Sequence, residues 1–370
     1  MRVVFRADAS VQIGTGHLMR CLTLADELTR QGHECRFICR EHNGHLGELI
    51  SSKGYQLTLL QVDGGTKFES SDNGNTAYAD WLGAPWQQDV EQTVEALTPF
   101  KADWLVVDHY ALNACWEQQV AKAVGRIMVI DDLADRAHEC SLLLDQNVLG
   151  AEVQHRYETK VNKTCQLLLG PSYALLRPEY GLIADVLPER DGNISRFLVF
   201  VGGSDPYHLT ERYLHALDAR EFDHLFVDVV LGKNHPSPEM VKQLVAKRVK
   251  TRLYAGLPSL AALMVRADLM LGAGGATNWE RMCLGLNSVV VSVARNQDDI
   301  NRELESQRLI SFVGNAEVLG VEPIRESIQF TLRNPKHNQH QSIAMRRIVD
   351  GYGAQRVAQK LKEICYGASA

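Results

Sequence analysis

Four short stretches of the chain combine glycines with side chains that can move protons or hold anions. The first is Arg6-Ala-Asp8, followed by Gly14-Thr-Gly16-His17 and then Arg20. Gly14 and Gly16 permit a tight turn with backbone close to a ligand, and His17 falls at or near the start of a helix. A neutral imidazole at that position can accept a proton. The structural alternative is that the glycines only shape a loop and His17 caps the helix. Met19 stands where the dinucleotide fingerprint GxGxxG would need its third glycine, so a nicotinamide site is not indicated. The second stretch is Val106-Val-Asp108-His-Tyr110. Here Asp108 can orient an imidazole or bind substrate, and Tyr110 can bind substrate hydroxyls or amides. An Asp that caps the next helix beside a packed Tyr is the plainer reading. The nearby Asp131-Asp132 pair is adjacent in an extended segment, where neighbouring side chains point apart, and it has no companion ligand spacing. No metal is expected.

The third stretch, Val199-Phe-Val-Gly202-Gly203-Ser204-Asp205, reads as a strand running into a glycine-rich turn. Backbone N–H groups there can cradle a phosphate, with Ser204 as an extra donor. The GK[ST] ending of a P-loop is absent, which argues against an ATPase. The fourth is Gly272-Ala-Gly274-Gly275-Ala276-Thr277-Asn278-Trp-Glu280-Arg281. A strand leads into three glycines and then a helix, an arrangement suited to a diphosphate. Glu280 lies within the first turn of that helix, where its carboxylate can accept hydrogen bonds from both ribose hydroxyls of a nucleotide. Farther on, Asn296 and Gln297 follow another apolar strand and offer amides to the same site.

Loops of this kind must be carried by strands. Short Val/Ile/Leu-rich runs alternate with longer amphipathic segments, the pattern of parallel strands joined by crossover helices. Strands are predicted at 3–5, 36–39, 56–59, 104–107, 127–130 and 142–144, and again at 197–201, 227–231, 252–254, 269–271, 288–292 and 310–313. Helical patterns cover 17–29, 86–97 and 115–123, and the final stretch of the chain also reads as helical. Residues 63–80 are polar and rich in Gly, Ser and Asn, which indicates a surface loop. The alternation breaks around Pro171, Pro178, Pro188 and Glu189-Arg190-Asp191-Gly192. The expected organisation is therefore a first α/β domain over 1–170, a connection over 171–194 and a second α/β domain over 195–370 that includes the C-terminal helices. Open sheets of this class bind ligands at the carboxyl ends of their strands, where all four stretches fall.

The length of 370 residues suits two domains at the usual ~150 residues each. With 39 basic and 45 acidic residues the net charge is −6, which offers no broad footprint for nucleic acid or an anionic membrane. No run approaches the ~20 apolar residues of a membrane span, and the start lacks the features of a secretory signal, so a cytoplasmic location is expected. The eight cysteines are scattered without a CxxC pair and read as reduced thiols.

Together the motifs resemble the PseG-type UDP-sugar hydrolases. The resemblance is carried by Arg6-x-Asp8-x5-Gly14-x-Gly16-His17-x-x-Arg20, Asp108-His-Tyr110, Asp131-Asp132-Leu133, Gly170-Pro-Ser-Tyr-Ala-Leu-Leu-Arg-Pro-Glu179, Gly202-Gly-Ser-Asp205, Gly272-Ala-Gly-Gly-Ala-Thr-Asn-Trp-Glu280 and Asn296-Gln297. It implies a GT-B architecture, two Rossmann-like doubly wound parallel-sheet domains facing across a cleft, similar to MurG-type glycosyltransferases. It also implies hydrolysis of UDP-2,4-diacetamido-2,4,6-trideoxy-beta-L-altropyranose with inversion, on the route to pseudaminic acid, without a metal or cofactor. In that setting His17 is the base that activates water, and Asp8 or Asp108 fixes its tautomer. Tyr110 and Asn296 lie near the sugar, and Glu280 sits on the uridine ribose. Arg6, Gly14, Gly16, Arg20, Asp108, Gly202, Gly203, Ser204, Gly274, Gly275, Ala276, Thr277 and Gln297 complete the expected substrate contacts. The expected partner is a small-molecule UDP-sugar, and the expected state is a monomer or weak homodimer. A glycosyltransferase, or a hydrolase of a different nucleotide-activated sugar, is the alternative.

Overall fold

The computed structural model describes residues 1–62, 78–147, 150 and 155–367. Of the surface loop expected at 63–80, residues 63–77 lie outside the described residues, and Ala79–Leu82 forms a short 3-10 turn. The chain forms two compact units, Met1–Leu175 with Tyr352–Ala370, and Leu176–Gly351.

In unit 1 the strands are β1 (Arg2–Ala7), β2 (Glu34–Arg40), β3 (Gln56–Leu60), β4 (Trp104–Asp108), β5 (Arg126–Ile130), β6 (Leu142–Asp145) and β7 (Gln166–Leu169). They form one parallel sheet in the order β3-β2-β1-β4-β5-β6-β7. The helices between them are α1 (Gly16–Arg30), α2 (Gly47–Ser52), α3 (Trp86–Leu97) and α4 (Ala114–Val120). Unit 2 opens with α5 (Pro178–Val186) and continues with strands β8 (Arg196–Phe200), β9 (Phe226–Leu231), β10 (Thr251–Ala255), β11 (Leu269–Ala273), β12 (Asn287–Ser292) and β13 (Ser311–Asn315). Their order is β10-β9-β8-β11-β12-β13, again all parallel. The helices are α6 (Leu209–Ala216), α7 (Pro238–Ala246), α8 (Ala261–Arg266), α9 (Thr277–Cys283), α10 (Asp298–Ser306), α11 (Val321–Arg333) and α12 (Pro335–Ile348). The last helix, α13 (Gly353–Tyr366), returns to unit 1.

The central strands are apolar on both faces because helices cover both. Every residue of β4, β11 and β12 is buried. In each sheet the strand order reverses beside the first strand, between β1 and β4 in unit 1 and between β8 and β11 in unit 2. Such a switch point leaves a crevice at the carboxyl ends of the two strands.

Three features depart from the sequence expectation. The short edge strand β7 lies just ahead of the proline-rich stretch and was not anticipated. Residues from Leu176 onward, expected as a connection, belong to unit 2. Helix α13, expected in the second domain, packs on α1 instead. Its apolar stripe Ala354, Val357, Ala358 and Leu361 is at most 3% exposed and joins Leu18, Cys21, Leu22 and Ala25 in one core. All eight cysteines are free thiols. Among the described residues, no helix is long and apolar enough to cross a membrane.

Candidate active site

At the unit 1 switch point, β1 leads through a self-closed turn into α1. Ser10 Oγ accepts from the N–H groups of Gln12 (3.1 Å) and Ile13 (2.8 Å), and Gly14 donates its N–H to the Ser10 carbonyl at 2.9 Å. Gly14 is left-handed, with φ 80°. Gly16 starts α1 with open space where a Cβ would stand, so the protein's own packing does not demand glycine there.

His17, the second residue of α1, is 8% exposed and turns its Nδ1 to Asp108 Oδ1 at 2.6 Å. An ionised carboxylate can only accept, so Nδ1 carries a ring proton, and in the neutral ring Nε2 is the accepting nitrogen. The ring therefore does not serve as a helix cap. Arg20, one turn along α1, grips both Asp108 oxygens, Nε to Oδ2 at 2.5 Å and Nη2 to Oδ1 at 2.7 Å. Burial opposes charge on Asp108, but Arg20 and then His17 outweigh it and hold the carboxyl well below its usual range. The remaining arm of Arg20 reaches Asp132 Oδ2 at 3.0 Å, and Asp132 Oδ1 accepts from the Tyr110 hydroxyl at 2.5 Å. Burial and the Asp132 charge raise the Tyr110 pKa, which keeps this phenol protonated. The Tyr110 ring meets the edge of His17 at 4.5 Å, and Trp81 stacks on Tyr110 at 5.7 Å. A continuous chain thus runs Tyr110–Asp132–Arg20–Asp108–His17.

Asp8 and Arg6 are placed elsewhere. Ala7 is in register with Asp108, so Asp108 shares a sheet face with Ala7, Phe5 and Val106, beneath α1. Arg6 and Asp8 point to the opposite face, where Arg6 Nη1 binds Asp8 Oδ1 and Nη2 binds Asp89 Oδ2, each at 2.7 Å. Both Arg6 and Asp8 are wholly buried, and Asp8 also accepts from the Arg40 N–H at 2.6 Å. Of the two carboxylates expected to orient His17, Asp8 therefore does not touch the ring, and neither Arg6 nor Asp8 reaches the Asp108–His17 group. They form a buried ionic node, and Asp108 is the carboxylate on His17. The Asp131-Asp132 side chains do diverge, with Asp131 held by Arg136 at 2.9 Å and by the Tyr157 hydroxyl at 2.9 Å.

At the unit 2 switch point, the loop after β8 is pressed against the loop after β9. A Cβ on Gly232 would come within 2.1 Å of the Gly202 carbonyl oxygen, so two backbones touch where no side chain fits. The Asn234 N–H donates to the Gly203 carbonyl at 2.9 Å. Ser204 is exposed. Asp205 caps α6 by accepting from the N–H groups of Leu209 (2.8 Å) and Thr210 (2.7 Å). His235 Nε2 lies 3.5 Å from Asp205 and 3.7 Å from Glu211, a grouping with the residue types of a metal site. Its Nδ1, however, accepts the Ser237 N–H at 3.1 Å. That puts the ring proton on Nε2, where a metal would need a lone pair, so the cluster fits a polar node behind the glycine loop better than a metal site.

The loop after β11 is fitted just as closely. A Cβ on Gly274 would lie 2.5 Å from Asn301 Nδ2. Asn301 in turn accepts from Asn278 Nδ2 at 3.1 Å and donates to Ser292 Oγ at 2.9 Å, tying α9, β12 and α10 around the turn. Gln297 accepts the Val293 N–H at 3.0 Å, with its amide near Gly275, and Asn296 lies exposed in the adjoining 3-10 turn. Ala276 and Thr277 form the junction of this loop with α9. Glu280 is half-buried, and burial pushes its carboxyl up to about 7 against the pull of Arg177 and Tyr180. Sequence reasoning had Asp132 and Asn278 within its motifs without giving either a role, and it missed Trp81, Gly232 and Asn301. Of those three, Gly232 carried a usable signal, a glycine directly after a predicted strand.

No family model matches the chain. Its two parallel-sheet α/β units are those of a GT-B fold. The crystal structure of MurG from Acinetobacter baumannii aligns with a TM-score of 0.66 at 12% identity, over 98% of this chain and 99% of that one. By sequence, the chain is 24% identical over 310 residues to an uncharacterized protein of Methanocaldococcus jannaschii, covering 82% of this chain and 57% of that protein. It is also 24% identical over 300 residues to the UDP-2,4-diacetamido-2,4,6-trideoxy-beta-L-altropyranose hydrolase of Campylobacter jejuni, covering 80% and 94%. The chain thus spans little more than half of the archaeal relative and nearly all of the Campylobacter one.

Proposed function

We propose that the chain is a metal-independent UDP-sugar hydrolase. It cleaves UDP-2,4-diacetamido-2,4,6-trideoxy-beta-L-altropyranose to UDP and 2,4-diacetamido-2,4,6-trideoxy-L-altrose in the cytoplasm, as a step toward pseudaminic acid. The observation that carries this reading is the 2.6 Å bond from His17 Nδ1 to an Asp108 that Arg20 grips at both oxygens. It leaves Nε2 of the neutral ring as a positioned proton acceptor, and the likeness to the Campylobacter hydrolase supports this choice of substrate. Water gives a proton to His17 Nε2 as its oxygen attacks the anomeric carbon. The bond from that carbon to the UDP oxygen breaks, and the configuration inverts. Asp108 stabilises the imidazolium formed, and Tyr110 and Asn296 orient the sugar. In unit 2 the N–H groups of Gly274, Gly275, Ala276 and Thr277, with Gly202, Gly203 and Ser204, bind the diphosphate and stabilise the charge that grows on departing UDP. Glu280 and Gln297 fix the nucleoside.

The test is UDP release from a panel of UDP-sugars, with the sugar product followed by NMR and with sugar acceptors added or withheld. The expected result is acceptor-independent release from the diacetamido-trideoxy substrate, lost in His17→Ala and His17→Asn with UDP affinity retained. Near wild-type turnover in either variant would remove His17 from the role of base, and acceptor-dependent release would favour a glycosyltransferase.

A further inference from the structure

Fully buried arginines in unit 1 are neutralised by carboxylates. Arg6 pairs with Asp8 and Asp89, each at 2.7 Å, and Arg40 pairs with Asp89 at 2.6 Å. Arg281 in unit 2 is 0% exposed and, among the described residues, has no carboxylate in an ion pair with it. It sits on α9, next to Glu280. Its Nη1 donates to the carbonyl of Ala273 at 3.2 Å, while its Nε and Nη2 meet no hydrogen-bond partner among the described residues. The side chain with the largest favourable influence on it is Tyr213, a phenol that burial keeps protonated, followed by Glu280, whose carboxyl is itself pushed up to about 7. Burial pulls the Arg281 guanidinium down to about 9, which leaves it charged at neutral pH. An uncompensated buried cation is costly, and a charge whose field nothing nearby cancels acts strongly at a distance. Ala273, which Arg281 holds, is the last residue of β11 and directly precedes Gly274-Gly275. The guanidinium is therefore anchored at the base of that turn.

We infer that Arg281 is a built-in counter-charge for the diphosphate of a nucleoside diphosphate held at the Gly274–Thr277 turn, acting through its field and through the Ala273 carbonyl rather than by contact. The inference rests on the reading that this turn takes the diphosphate. Binding then supplies the counter-ion that the protein withholds. The ligand's diphosphate part gains from Arg281, and its nucleoside part does not.

The experiment compares UDP, uridine and inorganic pyrophosphate by calorimetry on the full chain, wild type against Arg281→Lys, Arg281→Gln and Arg281→Met. UDP and pyrophosphate are expected to bind about tenfold or more weakly to the Gln and Met variants, which lose the charge, and close to normally to the Lys variant. Uridine affinity should stay unchanged in all three. Equal losses for UDP and uridine, or recovery of UDP binding in Arg281→Gln, would show that only the bond to Ala273 matters and would overturn the counter-charge. If Arg281→Met does not fold, the Lys and Gln pair decides, since both keep a donor for Ala273 and only one keeps the charge. Should wild type bind pyrophosphate but not UDP, the uridine reading of the site fails. Loss of pyrophosphate binding in Arg281→Gln would still uphold the inference, and its retention would sink it.

Discussion

His17 does its proposed work through the tautomer that Asp108 imposes, and this makes Asp108 separable from substrate binding. Asp108→Asn replaces an obligate acceptor with an amide that can donate to Nδ1, which places the ring proton on the wrong nitrogen. Turnover is expected to fall about 10²–10⁴-fold with UDP affinity unchanged, measured by steady-state UDP release and calorimetry. Asp145 behaves oppositely to Asp108. Burial first, and then the nearby Asp132, raise its carboxyl to about 7 despite Arg156 at 3.2 Å. An unfolded aspartate titrates near ~4, so the stability that neutral Asp145 contributes is complete below that pH. It is lost as pH rises to about 7, because the unfolded chain ionises first. Asp145→Asn should therefore raise Tm at pH 8 by about 2–4 °C per kcal/mol recovered and leave it unchanged at pH 4, as followed by scanning calorimetry. A gain at pH 4 of the same size would contradict the burial argument. At this scale the sequence made His17, Asp108, Tyr110 and Arg20 legible by type. It left Asp8 and Asp108 as equal candidates because the choice depends on which face of the sheet each occupies, and pairing of β1 with β4 decides that.

The elements were legible wherever an apolar run was long or strictly alternating. Helix α3 lies at Trp86–Leu97, where the pattern predicted it, and of the thirteen strands among the described residues twelve overlap their predicted runs. The missed strand, β7, has four residues and ends at a Gly-Pro break, too short for periodicity to register. The amphipathic stripe of α13 was visible as helix. Its partner was not, because nothing in a stripe says which sheet layer it will cover. Leu361 is the most telling position on that stripe, at 0% exposure against the α1 core. Leu361→Ala should cost about 2–5 kcal/mol in urea unfolding. Hydrogen exchange should rise in α1 and β1 of unit 1. Faster exchange confined to unit 2 would mean that α13 is assigned to the wrong core.

For the molecule as a whole, the two units carry the same device twice, a parallel sheet with its loops of interest at the switch point, with different chemistry at each. Unit 1 offers an oriented imidazole, and unit 2 offers glycine turns and a buried cation. The proposed division of labour predicts a ligand-dependent pattern of amide protection. UDP alone should protect the segments around Gly202–Ser204 and Gly274–Glu280, and leave the Gly14–Arg20 segment at its free level. At 100-fold excess over its Kd, UDP should stabilise the protein by about 2.7 kcal/mol. The unit 1 segment should gain protection only with the intact UDP-sugar bound to the inactive His17→Ala variant. Hydrogen exchange by mass spectrometry resolves the three states, and protection of Gly14–Arg20 by UDP alone would contradict the division.

The return of α13 to unit 1 also orders events during synthesis. The chain leaves the first unit at Leu175, builds the second through Gly351, and only then makes the helix that covers α1. A ribosome thus completes the core of unit 2 while unit 1 still exposes the apolar face of its first helix. In chain order the core of unit 2 is complete before that of unit 1, the opposite of a strictly N-terminal-first sequence. Leu18, Cys21, Leu22 and Ala25 stay uncovered by their partner helix until residues 353–366 have been made.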